Sequence, residues 1–79
     1  MNENYTELLD TNLYEVIIDC QLQHRKAGMS EIIVRYENGV KERIWTYNSK
    51  RYAFNYLDFI GMTKLEAIFF CDRMRPNVL

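Results

Sequence analysis

Apolar and polar residues alternate along three stretches of this chain. In residues 13–24 (LYEVIIDCQLQH), Tyr14, Val16, Ile18, Cys20 and Leu22 alternate with Glu15, Asp19, Gln21 and Gln23, and Ile17 is the single exception. A helical stripe through Leu13, Val16, Ile17, Cys20 and His24 also exists. The run of β-branched Val16, Ile17 and Ile18 tips the choice to a strand, because such side chains lose rotamer freedom in a helix. Residues 30–36 alternate Ile32, Val34 and Tyr36 with Glu31, Ile33 and Arg35, a second strand. Glu37-Asn38-Gly39 then marks a tight hairpin, since Asn and Gly tolerate positive φ. The returning strand, residues 40–47, presents Val40, Glu42, Ile44 and Thr46 on one face. If it is regular, Lys41, Arg43, Trp45 and Tyr47 share the other.

The remaining pattern predicts helices. Residues 52–60 (YAFNYLDFI) are almost continuously apolar, and Gly61 is placed to end them. In the following MTKLEAIFFCDRM, Thr63 and Glu66 have the spacing of a capping box, Met62 is placed to staple onto Ala67, and Pro76 stops the helix. Residues 2–10 are expected to form a short N-terminal helix with Tyr5, Leu8 and Leu9 on one side. The expected fold is therefore α+β: a three-stranded antiparallel meander packed against two C-terminal helices, with a short N-terminal helix, in a single domain of residues 1–79.

Composition agrees with a folded chain, at 48% apolar and 27% charged residues with three glycines and one proline. The net charge of −1 disfavours strong nonspecific nucleic-acid binding, but the charges are segregated. Residues 1–24 carry five acids and no lysine or arginine, whereas residues 25–51 carry seven basic residues against three acids. Such separation joins the two regions in the fold or offers each to a different partner. Residues 1–9 lack the pattern of a signal peptide, and there is no run of 18 apolar residues to span a membrane. Cys20 and Cys71, 51 positions apart among apolar neighbours, are expected as buried thiols, and the expected location is the cytoplasm.

Few residues carry recognisable chemistry. The glycines stand alone, so no phosphate loop exists, and neither a nucleophile elbow nor a zinc-type cysteine or histidine cluster occurs. Cys20 and His24 form one C-x3-H pair, short of the four ligands of structural zinc. They also lack a visible anion-stabilising partner for nucleophilic catalysis. No enzyme activity, catalytic residue, cofactor or metal is expected. Residues 57–70 have the outline of a helix-turn-helix, but only Thr63, Lys64 and Glu66 stand where a recognition helix would read bases, so packing is preferred. The candidate binding face is Arg35, Lys41, Arg43, Trp45 and Tyr47, aromatic rings flanked by cations. Tryptophan is a frequent anchor in protein interfaces.

These features predict a small non-enzymatic interaction or regulatory protein of adaptor or inhibitor type that binds a protein partner. Its size, acidic start and aromatic middle are compatible with an accessory protein of a phage or mobile element. Alternative readings are a nucleic-acid-binding regulator, through that face or the C-terminal helix pair, and a homo-oligomer in which a second copy completes an apolar sheet face.

Overall fold

The structure, a computed structural model, describes residues 10–74. Strands β1 (Ile17–His24), β2 (Met29–Tyr36) and β3 (Lys41–Asn48) form an antiparallel sheet in sequence order, and helix α1 (Lys64–Met74) follows them. Single 3₁₀ turns occupy Lys26–Gly28 and Tyr56–Asp58. The α+β class and the three-stranded meander are as expected, and residues 17–24 are strand rather than helix.

Two expected helices are not borne out. Residues 52–60 do not form one: 52–55 lack regular structure, Tyr56–Asp58 is one 3₁₀ turn, and α1 is the single C-terminal α-helix among the described residues. An apolar run without polar spacing suits a helix and an irregular buried segment equally. Here Asn55 decides against the helix, because its backbone is extended and its Oδ1 accepts the Leu57 N–H at 3.0 Å. The expected N-terminal helix falls outside the described residues, apart from Asp10, which is not helical.

Both edge strands depart from regular alternation. Ile17 pairs with Tyr36 and Asp19 with Arg35, so Ile18 is an extra residue in β1. Ile17 is thereby turned fully inward while Ile18 is exposed, which accounts for the exception in the sequence pattern. In β3, Arg43 pairs with Ile33 and Trp45 with Ile32, so Ile44 is the extra residue. The β2–β3 hairpin turns on Gly39 at φ +90 while Asn38 keeps a negative φ. The Gly39 N–H donates to the Tyr36 carbonyl at 2.9 Å, and Asn38 Oδ1 accepts from the Val40 N–H at 3.0 Å. One left-handed residue at the end of the loop is the signature of a bulged hairpin turn.

One sheet face is covered. Ile17, Cys20, Ile32, Val34, Tyr36 and Tyr47 bury there against Phe59, Ala67 and Cys71. Phe59 packs edge-on to Phe70 at 5.5 Å between centroids, and Phe54 likewise to Tyr47 at 4.8 Å. The predicted capping box forms: Glu66 N–H donates to Thr63 Oγ1 at 3.2 Å, and Thr63 N–H donates to Glu66 Oε1 at 2.9 Å. Residues 10–16 join this helix start to the sheet. Leu65 N–H reaches the Leu13 carbonyl, Ile17 N–H the Met62 carbonyl, and Gly61 N–H the Ile17 carbonyl.

Candidate functional site

The β3 bulge divides the candidate face. Residues directly opposite in an antiparallel ladder point to the same side. Arg35 pairs with Lys41 and Ile33 with Arg43, and these four lie on the uncovered face of the sheet. Trp45 opposite Ile32 and Tyr47 opposite Ser30 point to the covered face. Tyr47 is buried in the core, and Trp45 is partly buried against it. The five residues therefore do not form one surface. A regular strand would have aligned them; the extra Ile44 flips everything after it.

On the uncovered face, Arg43 donates to Glu31 at 2.8 Å and Arg25 to the same carboxylate at 3.3 Å, while Arg35 stands 3.6 Å from Asp19. The Arg43 hydrogen bond, aided by Arg25, holds the Glu31 carboxyl below its usual range even though its partial burial acts the other way. Lys41 lines a shallow depression with Asp19, Gln21, Ile33 and Arg35.

The end of the sheet opposite the hairpin is strongly basic. The β1–β2 connection carries Arg25 and Lys26, and the segment leaving β3 carries Lys50 and Arg51. The two are tied together: Gly28 O accepts from Ser49 N–H at 2.8 Å and from Ser49 Oγ at 2.6 Å. The Lys50 stem lies over Gly28, which takes φ +76 beside a left-handed Ala27. Lys26, Lys50 and Arg51 are exposed and make no ion pair among the described residues. Arg25 and Arg43, by contrast, are engaged with Glu31 on the uncovered face. At this end, on the covered side of the sheet and reaching Cys71, lies a cleft of about 240 Å³. Its lining includes Met29, Trp45, Tyr47, Asn48, Tyr52 and Phe54. Trp45, Tyr52 and Phe54 are each half-buried, packed against the core. The excess of basic residues in 25–51 is visible in the sequence. Their convergence is not, because it depends on two eight-residue strands returning the 25–28 and 49–51 turns to the same end.

Elsewhere, polar groups are paired within the fold. Lys64 Nζ lies 2.6 Å from Asp10 and 3.1 Å from Glu42, and Tyr36 O–H donates to Glu42 at 2.5 Å. Burial pulls the Lys64 ammonium down, but its bonds to the two carboxylates outweigh this and hold it above its ordinary value. The same bond keeps Asp10 low, and burial drives the Tyr36 phenol upward. Burial likewise pushes the Cys20 thiol up to about 11 and Cys71 to about 12, so neither is a ready thiolate nucleophile. His24 Nδ1 lies 3.0 Å from Ser30 Oγ, but Ser30 is buried in the sheet under Tyr47. Among the described residues, no three His, Cys, Asp or Glu side chains gather as a metal-binding group, and no helix is long and apolar enough to cross a membrane. In comparisons with known proteins, the chain matches no family model, no curated protein and no solved structure.

Proposed function

We propose that this chain is a small non-enzymatic interaction protein, of adaptor or inhibitor type, that binds a protein partner. The carrying observation is the set of large apolar side chains left exposed on the segment leading into α1 and on the helix itself. Leu57 is 60% and Phe69 58% exposed, and Tyr56 and Ile60 accompany them. Isolated exposed apolar residues are ordinary, but several on neighbouring elements mark surfaces that a partner covers. Beside Phe69, a groove lined by Met62, Glu66 and Arg73 adds polar groups of both signs, as the rim of an interface requires. The raised, buried thiols and the internally paired Lys64 cluster support the non-enzymatic part of the reading.

The test is affinity capture from extract of the native cell, with retained proteins identified by mass, using the parent chain and a Leu57→Ser/Phe69→Ser variant. The expected result is a protein retained by the parent and lost by the variant, with the variant's melting curve unchanged. Identical retention by both chains, or no retained protein, counts against the proposal.

A further inference from the structure

The basic end of the sheet and the aromatic cleft beside it form a second surface, separate from Leu57 and Phe69. We infer that this surface binds single-stranded nucleic acid, with phosphates on the Lys26, Lys50 and Arg51 cations and one base entering the cleft beside Trp45 and Tyr52. Three observations converge on that occupant. The two turns, residues 25–28 and 49–51, carry four cations and no acid, which makes this end complementary to a polyanion although the whole chain carries a net charge of −1. Lys26, Lys50 and Arg51, which make no ion pair among the described residues, are exposed, and the Ser49–Gly28 bonds hold their two turns side by side. The cleft, at about 240 Å³, falls below the roughly 300–1,000 Å³ of typical cofactor sites and suits a single planar ring.

The aromatic lining separates this occupant from an acidic protein segment. Carboxylates need only the cations, whereas an unstacked base gains from a ring face beside them. A duplex keeps its bases stacked and offers the cleft nothing. The arrangement also differs from a binding face on the regular strand. Arg35 and Lys41 sit at the hairpin end, roughly 20 Å along β3 from Asn48. That exceeds the Debye length of about 10 Å at 0.1 M salt.

The test titrates the full chain with a short oligothymidylate at low salt, reading Trp45 fluorescence and the anisotropy of a labelled strand. Trp45 is the single tryptophan in the chain, so its signal reports the cleft directly. Quenching is expected, with affinity falling as salt rises at a log–log slope of about −2 to −3 for three or four phosphates. Lys50→Glu/Arg51→Glu should weaken binding by about tenfold or more. Arg35→Glu/Lys41→Glu, an equal change of charge at the far end, should alter it by less than about twofold. Absence of binding, binding without quenching, equal loss from both double variants, or equally tight binding of polyglutamate or duplex would overturn the inference. Melting curves of both variants confirm folding. Since the variants spare Leu57 and Phe69, the outcome is independent of the protein-partner proposal.

Discussion

Replacing Lys64 by methionine tests whether its ion-pair cluster holds the helix start to the sheet. Methionine keeps most of the apolar stem and removes the charge, leaving Asp10 and Glu42 without their shared cation. The Lys64 side chain is 13% exposed, and its partners are 26% and 32% exposed. Exposed ion pairs contribute about 0–1 kcal/mol, and breaking a buried one costs about 3–5 kcal/mol. This partly sheltered cluster lies between, at about 2–3 kcal/mol. In a domain of this size that lowers Tm by about 10–20 °C. The sign of the pH dependence follows from the shifts. Asp10 is held below its ordinary 3.8, so its contribution is present above that value and disappears as pH falls through its lowered one. Lys64 is held above 10.5, so its contribution is complete below 10.5 and disappears as pH rises through its raised value. Urea unfolding followed by Trp45 fluorescence should therefore show the largest deficit near neutrality and a smaller one at about pH 3, where Asp10 is protonated more fully. A deficit below about 0.5 kcal/mol, or one independent of pH, would refute this account.

Phe59→Ala should cost about 3–5 kcal/mol, because the ring is fully buried against Phe54 and Phe70; chemical unfolding measures it, and a loss under about 1 kcal/mol would mean the site collapses freely. Thr63→Ala should cost about 1 kcal/mol, read in the same way, since it removes the hydroxyl that accepts the Glu66 N–H. Gly39→Ala should cost about 1–2 kcal/mol through its backbone alone, as an added Cβ meets no atom within 4 Å; a melting point equal to the parent's would contradict the positive φ. Native protein near pH 8 should react with a thiol reagent only as fast as it opens, and rapid modification of Cys20 or Cys71 would contradict their burial.

The meander was legible because alternation and the turn residues Glu37-Asn38-Gly39 point the same way. The helix start was legible because Thr63 and Glu66 interact locally, across three residues. Residues 52–60 misled for the opposite reason: their aromatic side chains are placed by distant partners, Tyr47 for Phe54 and Phe70 for Phe59, so local periodicity carries little information. The candidate face failed on one residue. Nothing at Ile44 distinguishes a bulge from a regular position, yet it sends Arg43 and Trp45 to opposite sides. The basic end was half legible, with its cations apparent but their meeting point set by the sheet.

The bulges also bear on how copies of this chain avoid one another. A three-stranded open sheet has two exposed edges, each able to recruit a strand from another molecule and begin aggregation. Here each edge strand carries one extra isoleucine, Ile18 or Ile44, and part of the β1 edge is closed by Gly61 and Met62. An incoming straight strand loses hydrogen-bond register at either bulge. Deleting Ile44 would restore a continuous edge while leaving Arg43 and Trp45 on opposite faces as consecutive residues, so it would cost colloidal stability without rebuilding the face that the alternation pattern foretold.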